Sequence, residues 1–194
     1  AAVGASQVGK TFDFSFTGFD RGHMTPNADR DKETSIPINQ ATFLMSNMVP
    51  QSPDNNQGPW ADLENYLRTL LSANELYILA GPAGIGGTGS NGFATTVADG
   101  HVTVPASTWK VAIVLPKDSG DDVSRVTGST RTIAVIMPNV QGIRNLDWTT
   151  YLASVDQVEA LTGYDFFANV DDFAENCIEA AVDGVLVGCL YLPI

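Results

Sequence analysis

One short stretch, Asp20-Arg21-Gly22-His23, constrains this chain of 194 residues more than any other. It sets a histidine, a side chain that titrates near neutral pH, two positions after an arginine. A second polar stretch further along the chain supplies Asn56, Glu64 and Arg68. Histidine can deprotonate a water molecule, and a guanidinium or a bound cation can stabilise the negative charge that then develops. The two stretches therefore predict one site, provided that the fold brings them together.

A helix is predicted to carry part of the second stretch. Pro59 suits the first position of a helix, and helix-forming residues continue to Ala73. Glu64 and Arg68 stand four residues apart, so they share a helix face. A solvated surface ion pair is the ordinary alternative for two such residues, but here we expect their face to point toward His23. The apolar stripe of the helix consists of Trp60, Leu63, Leu67, Leu70 and Leu71.

The polar groups before and on this helix suit a hard divalent cation. Mg²⁺ prefers oxygen ligands and keeps several waters, so one neutral amide oxygen can be sufficient protein ligation. A nearby carboxylate can hold the metal-bound waters. Asn55 and Asn56, which precede the helix, are the candidate amide ligands. Asparagine in such a connector is also common for turn formation alone.

These residues and their order resemble the DNA/RNA non-specific endonucleases, a branch of the ββα-metal (His-Me finger) nucleases. The resemblance covers roughly residues 19 to 173. It implies an α+β fold in which a mixed sheet core carries a ββα-metal motif. It also implies metal-dependent hydrolysis of DNA and RNA, single- or double-stranded, to 5′-phosphate products.

The resemblance assigns a role to each matching residue. It implies that His23 is the general base and that Asn56 binds Mg²⁺, for which Mn²⁺ or another divalent cation can substitute. Glu64 would orient the metal-bound waters. Arg68 would stabilise the pentacovalent phosphate, and Arg21 would contact phosphate or brace the site.

Two further polar residues and the start of the chain complete the comparison with the family. Asn47 is a candidate substrate-binding residue, with a simple turn residue as an equal alternative. Asp20 is expected to be structural and to hold the turn. Members of the family usually carry a segment with another active-site arginine before the histidine motif. We therefore expect one endonuclease domain over residues 1–194 that lacks this segment, which can lie on a separate polypeptide.

The distribution of charge is unusual for a protein that binds a polyanion. The net charge is −12, and the fifty residues after Arg144 contain nine acidic and no basic side chains. Residues 1–68 contain five basic and eight acidic side chains. We expect the acidic face to lie away from the cleft, with modest affinity for nucleic acid and fast release. The acidic charge favours an alternative, a catalytically impaired nuclease fold that binds nucleic acid or another protein; the intact histidine, asparagine, glutamate and arginine set opposes it.

Periodicity predicts the remaining elements. Alternation over Thr11–Thr17 predicts a strand with one buried face, and the apolar run Ala41–Met48 predicts the second strand of the ββα unit. Asn27–Asn39 is predicted to be an exposed loop, because Pro37 disfavours a helix interior. Further predictions are a buried strand at 75–80, a flexible glycine-rich loop at 81–92, strands at 101–104, 109–115 and 131–137, helices at about 154–163 and 172–182, and a strand or an exposed apolar tail at 185–194.

Location and partners follow from the lack of specificity that the resemblance implies. A nuclease that reads neither base nor sugar would damage its own cell, so we expect a secreted or periplasmic protein, or one held by a protein inhibitor until export. The small residues at the start could follow a cleavage, and no run of 18 apolar residues predicts a membrane span. Cys177 and Cys189 could form a disulfide or remain two buried thiols. The oligomeric state does not follow from the sequence.

Overall fold

The computed structural model describes residues 14–30, 36–184 and 189. Contacts divide the chain into two compact units. Unit 1 comprises Ala1–Arg68, Ala80–Thr108 and Met137–Asp147, and unit 2 comprises Thr69–Leu79, Trp109–Ile136 and Trp148–Ile194. The expectation of a single domain stays a prediction.

Unit 1 contains a two-stranded antiparallel ribbon followed by a helix. β1 (Asp20–His23) pairs with β2 (Met48–Gln51), so that Asp20 lies opposite Gln51 and His23 opposite Met48. Between the strands lie a 3₁₀ turn, Asn27–Arg30, the helix α1, Ile36–Ala41, and a second 3₁₀ turn, Met45–Asn47. After β2 come the short helix α2, Pro53–Asn56, and the helix α3, Pro59–Leu70. This order of strand, strand and helix is the predicted ββα unit.

Two small hairpins complete the regular structure described in unit 1. They pair β4 (Gly87–Gly89) with β5 (Gly92–Ala94) and β6 (Thr96–Val97) with β7 (Val102–Thr103). A core cluster of Phe14, Phe19, Val97 and Val104 packs beside them. The glycine-rich segment predicted to be a flexible loop therefore forms a hairpin, in which Gly92 adopts a positive φ of 107° at the turn.

Unit 2 is built on a four-stranded sheet with three helices. The strand order is β10-β9-β8-β3, and these strands are β3 (Asn74–Ala83), β8 (Ser107–Pro116), β9 (Arg131–Pro138) and β10 (Leu152–Ala153). The helices are α4 (Asp122–Arg125), α5 (Val155–Thr162) and α6 (Asp172–Ala180), and α5 packs against α6. Ile113, Leu115, Val126 and Ile178 form a core cluster.

Several predictions for unit 2 are confirmed. β8 and β9 cover the predicted strands at 109–115 and 131–137. α5 begins with the predicted capping box of Ser154 and Gln157 and ends at Gly163, which adopts the left-handed conformation. α6 begins after Asp171, whose side chain caps it. Cys177 and Cys189 form a disulfide, so the two-thiol alternative is excluded.

The strand predicted at Thr11–Thr17 is wrong for the residues that can be compared. Residues 11–13 lie outside the described residues, and residues 14–18 form a turn. Thr17 donates both its backbone N–H and its hydroxyl to the Phe14 carbonyl, and Phe16 has a positive φ of 62°. Phe14 is therefore buried while Phe16 is fully exposed, whereas a half-buried strand would bury both.

The boundaries of the second strand and of the preceding loop also differ from the prediction. Residues 41–47 form the end of α1 and the second 3₁₀ turn, and the strand begins only at Met48. α1 includes Pro37, because this proline lies in the first helical turn, where its missing N–H costs nothing. β3 forms as predicted but is not buried along its length: it lies at the edge of the sheet, and Tyr77, Ile78 and Leu79 are exposed.

The strand predicted at 101–104 is present only as the short β7, and the tail at 185–194, apart from Cys189, lies outside the described residues. Over the described part of the chain, no helix combines the length and the apolar character that crossing a bilayer requires.

Candidate active site

β1 presents the histidine motif on two faces. Side chains alternate along a strand, so Arg21 and His23 lie on one face and Asp20 on the other. The Arg21 guanidinium lies 6.0 Å from the centre of the Phe14 ring. Close packing explains why residue 22 is a glycine. A Cβ atom at this position would lie 2.6 Å from Cβ of the fully buried Gln51. Only glycine therefore allows this close approach of β1 to the neighbouring strand.

His23 is half-buried, and one of its two ring nitrogens makes no hydrogen bond to the described residues. Its side chain makes a hydrogen bond to the backbone of Arg21. Nε2 is buried and has no hydrogen-bond partner among the described residues, so Nδ1 makes that bond. The ring also packs edge-on against Phe43, with 5.2 Å between the ring centres. Burial lowers the pKa of His23 more than the hydrogen bond raises it, so the imidazole is neutral at neutral pH and Nε2 can accept a proton.

Two side chains on one face of α3 bind to residues 23–29, which we call the histidine segment. The indole Nε1 of the buried Trp60 donates to the His23 carbonyl at 3.3 Å. Arg68 forms an ion pair with Asp29, with 2.9 Å between Nη1 and Oδ1, and donates to Asn65 at 2.6 Å. Glu64 lies one helical turn from both Trp60 and Arg68, so it shares their face of α3, and it is half-buried. The expected orientation of Glu64 and Arg68 toward His23 stays a prediction.

Asn56 is oriented by the residue expected to hold the turn. Its Nδ2 donates to Asp20 Oδ2 at 2.8 Å, and Gln57 Nε2 donates to the same oxygen at 2.7 Å. Because Asp20 fixes the amide nitrogen of Asn56, the amide oxygen is the atom that can bind a cation. Asp20 thus has a more specific task than the sequence indicated: it sets which end of the Asn56 amide is available.

The amide nitrogen of Asn55 makes hydrogen bonds to other parts of unit 1. Asn55 is fully buried, and its Nδ2 donates to the Thr108 hydroxyl at 3.1 Å and to the Pro138 carbonyl at 3.2 Å. These bonds fix α2 to neighbouring segments of unit 1. The Oδ1 atom of Asn55 is buried and has no hydrogen-bond partner among the described residues, so the choice between Asn56 and Asn55 as the ligand stays a prediction.

Asn47 uses its whole amide to hold the loop that follows His23. Its Oδ1 accepts from the Thr25 N–H at 2.9 Å, and its Nδ2 donates to the carbonyls of Thr25 and Thr42, each at 2.8 Å. This arrangement supports the structural alternative that the sequence left open. A role in substrate binding stays a prediction.

Residues not selected from the sequence extend the support of the site. Arg144 donates to Gln57 at 3.0 Å and forms an ion pair with Asp54 at 2.9 Å. Hydrogen bonds from the Gly142 N–H and from Arg144 lower the pKa of Asp54. Gln57 thus joins Arg144 to Asp20. The position of Gln57 next to Asn56 was a usable signal, but Arg144 is distant in sequence and belongs to no motif.

Asn139 fixes the segment between β2 and α2. It is fully buried, and its Oδ1 accepts from the Ser52 N–H at 2.6 Å. Its Nδ2 donates to the carbonyls of Pro50 and Pro105, at 3.0 and 2.9 Å. The backbone that leads to Asn56 is therefore fixed by a residue that no local pattern identifies.

Comparison with known proteins decides the family of this chain. The model of the family described as DNA/RNA non-specific endonuclease matches residues 2–173. The chain belongs to the DNA/RNA non-specific endonuclease family. This membership confirms the resemblance found in the sequence.

Relatives in the endonuclease family span bacteria, fungi and animals. The chain is 48% identical over 171 residues to a nuclease of Nostoc sp., covering 88% of this chain and 58% of that protein. It is 33% identical over 164 residues to nuclease C1 of Cunninghamella echinulata, covering 82% and 61%. It is 28% identical over 163 residues to human mitochondrial endonuclease G, covering 81% and 51%. The chain thus spans about half to three fifths of the length of these relatives.

A solved structure shows the same fold. The structure described as an EndoG/EndoGI complex matches with a TM-score of 0.66 at 24% identity, covering 84% of this chain and 64% of that chain. The predicted mixed α+β fold is therefore confirmed.

Proposed function

We propose that this endonuclease-family chain is a metal-dependent enzyme that hydrolyses phosphodiester bonds in DNA and RNA, single- or double-stranded, and leaves 5′-phosphates. The observation that supports this most directly is His23, a neutral imidazole whose buried Nε2 has no partner among the described residues. Asn56, Glu64 and Arg68 belong to the same compact unit as His23. Asn56 donates to Asp20, Arg68 donates to Asp29, and Glu64 shares the face of α3 that carries Arg68.

His23 takes the proton from the attacking water. The hydrogen bond to the Arg21 backbone fixes the ring tautomer with its proton on Nδ1, so Nε2 is the accepting atom. The Trp60 bond to the His23 carbonyl and the packing of Phe43 fix the backbone and the plane of the ring. A base held in this way needs no reorganisation before it accepts a proton.

The oxygen donors of the site fit a hard divalent cation, and Mg²⁺ is the proposed ion, with Mn²⁺ or another divalent cation as a substitute. Asn56 would hold it through the amide oxygen, and Glu64 would hold its waters. When bound, the cation supplies positive charge next to the phosphoryl and leaving oxygens. Asp20 keeps the Asn56 amide in the required orientation, and Arg144 supports this arrangement through Gln57.

The two arginines provide for the negative charge of the phosphate. Arg68 is proposed to stabilise the pentacovalent phosphate, and its ion pair with Asp29 positions the guanidinium beside the histidine segment. Arg21 lies on the same face of β1 as His23 and is proposed to contact phosphate. Contacts to phosphate carry no information on sequence, which accounts for the proposed lack of specificity.

Location and regulation are proposed on chemical grounds. An enzyme that cuts any nucleic acid must be kept from that of its own cell, so we place it in the periplasm or outside the cell. A protein inhibitor is a second safeguard; the description of the related solved structure concerns inhibition of EndoG.

Nicking of a supercoiled plasmid tests the proposed reaction. With Mg²⁺ the wild type should convert the plasmid, and excess chelator should stop it. His23→Ala should reduce the rate by a factor of about 10² to 10⁴, because it removes the general base. His101→Ala is the matched control, since it removes the other histidine of the chain, and it should retain the wild-type rate.

Three results would contradict the proposal: cleavage in chelator, a near-normal rate for His23→Ala, or an equal loss for His101→Ala. Binding of plasmid without any cleavage by the wild type would instead favour the impaired nuclease fold, which the net charge of −12 already favours as the second candidate. Circular dichroism of each variant checks that the fold is retained.

A further inference from the structure

Three carboxylates on α5 and α6 form a cluster in unit 2, whereas the candidate active-site residues belong to unit 1. Asp156 and Glu159 stand three residues apart on α5, so they share a face, and Glu179 lies in the last turn of α6. One carboxylate oxygen of each residue lies within 4.8 Å of the other two. The three side chains therefore converge on one point.

Glu179 is the member that requires an explanation. Its side chain is only 8% exposed, and Oε1 is buried with no hydrogen-bond partner in the described part of the chain. Burial of an unpaired carboxylate is costly, and the position near the negative end of a helix adds to that cost. A carboxylate oxygen of Glu179 belongs to the cluster, so a cation bound there would compensate this buried group.

The neighbouring charges that act on Glu179 are carboxylates, which do not compensate its negative charge. Burial and the carboxylates of Glu159, Glu175, Asp156 and Asp165 together raise the pKa of Glu179 to about 7. No lysine or arginine occurs after Arg144, so neither α5 nor α6 can supply a counter-charge from its own sequence.

Both helices are fixed without using the cluster. The capping box of Ser154 and Gln157 starts α5, and Asp171 starts α6. The disulfide of Cys177 and the buried Ile178 hold the turn of α6 that carries Glu179. The three carboxylates are therefore not needed as helix caps, and the backbone positions them before any ligand binds.

We propose that Asp156, Glu159 and Glu179 bind one Ca²⁺ ion. Carboxylate oxygens are the ligands that hard divalent cations prefer, and Ca²⁺ takes them at about 2.3–2.6 Å in flexible geometry. Two oxygens on opposite sides of such an ion lie about 4.6–5.2 Å apart, so three oxygens within 4.8 Å of one another can share one ion. Glu159 binds through the oxygen that does not accept the Phe166 N–H at 2.6 Å, and waters complete the shell.

Calcium binding is tested in the Asn56→Ala background, so that an ion at the proposed active-site ligand does not contribute. The protein is first treated with chelator and exchanged into fresh buffer. Titration calorimetry with CaCl₂ then measures binding, and thermal unfolding with and without CaCl₂ measures the change in Tm. One ion should bind, and Ca²⁺ at about 100 times its Kd should raise Tm by ~5–10 °C. Mg²⁺ at the same concentration should raise Tm less.

Glu179→Gln should lower the Ca²⁺ affinity at least ~10-fold and remove the Tm increase, because the ligand charge is lost. Glu175→Gln is the matched control: it removes a neighbouring negative charge on α6 that is outside the ligand set, and it should still bind one ion. Asp156→Asn, at an exposed position, serves as a second ligand variant if Glu179→Gln does not fold, and it should also weaken binding.

The proposal is overturned if no Ca²⁺ binds in the Asn56→Ala background, if the ligand variants bind as tightly as Glu175→Gln, or if Mg²⁺ stabilises the protein as much as Ca²⁺. The readouts are binding and stability, so the result does not depend on the proposed nuclease activity.

Discussion

At the scale of single residues, the candidate site depends on hydrogen bonds that decide which atom of a side chain is available. The backbone of Arg21 occupies Nδ1 of His23 and leaves Nε2. The carboxylate of Asp20 occupies the amide nitrogen of Asn56 and leaves its oxygen. The residue types were evident from the sequence, but the choice of atom depends on these bonds.

The pH profile should reflect the burial of His23. Burial lowers the pKa of this histidine below the ordinary 6.5, so the base stays neutral to lower pH. We expect kcat/KM for nicking to be constant around pH 7 and to fall as the pH decreases through a value below 6.5. His101→Ala should show the same profile, and a midpoint at or above 6.5 would contradict the assignment.

Asn56→Ala and Asn55→Ala should have different effects. Asn56→Ala removes the proposed ligand, so the Mg²⁺ concentration for half-maximal activity should rise ~10–100-fold with little change in stability. Asn55→Ala removes two buried hydrogen bonds, so it should lower the free energy of unfolding by about 1–3 kcal/mol. Metal titration of activity and urea unfolding measure the two effects; the opposite assignment would make Asn55 the ligand.

At the scale of elements, the site is a ribbon and a helix fixed together by side chains. The register of β1 and β2 sets His23 opposite Met48, and Asn47 just before β2 holds the loop after His23. Trp60 and Arg68 fasten α3 to the same segment. Glu64 lies one helical turn from each of them, so helix periodicity puts it on the same face of α3.

Gly22→Ala should disturb this ribbon. The added Cβ would lie 2.6 Å from Cβ of Gln51, so the strands must move apart or Gln51 must change conformation. We expect a loss of about 1–3 kcal/mol in the free energy of unfolding, together with lower activity. Gly120→Ala is the control, because its Cβ would make an ordinary 3.4 Å contact with Arg125. Urea unfolding compares the two, and equal midpoints would refute the packing argument.

At the scale of the whole molecule, charge and cross-linking are concentrated in one part of the chain. The fifty residues after Arg144 hold nine acidic side chains, of which three form the proposed Ca²⁺ site in unit 2. The disulfide also lies in unit 2, whereas His23 and Asn56 lie in unit 1. Substitutions at the disulfide or at the carboxylate cluster should therefore change stability and leave catalysis unchanged.

Reduction of the disulfide should lower Tm without changing the nicking rate at low temperature. The bond closes a short loop, with a sequence separation of 12 residues, and such a cross-link contributes about 3 kcal/mol by restricting the unfolded chain. Calorimetry and nicking assays with and without reductant measure both effects. A double variant, Cys177→Ala with Cys189→Ala, should show no response to reductant, and an unchanged Tm for the reduced wild type would contradict the prediction.

The sequence by itself determined the elements with strong local signals and the chemistry of the site. Pro59 and the apolar stripe defined α3, Ser154 and Gln157 defined the start of α5, and the histidine motif identified the family. These signals depend on residues close in sequence, so no knowledge of the fold was required.

Tertiary structure alone decided the strands around the motif and the residues that support it. Phe14 and Phe16 alternate like a strand, yet hydrogen bonds to the Phe14 carbonyl make a turn there. β3 is apolar, yet Tyr77, Ile78 and Leu79 are exposed, and no described strand pairs with its outer edge. Asn139 lies 89 residues from Pro50, and Arg144 lies 87 residues from Gln57. Contacts between residues so far apart leave no local pattern, so only the folded chain shows them.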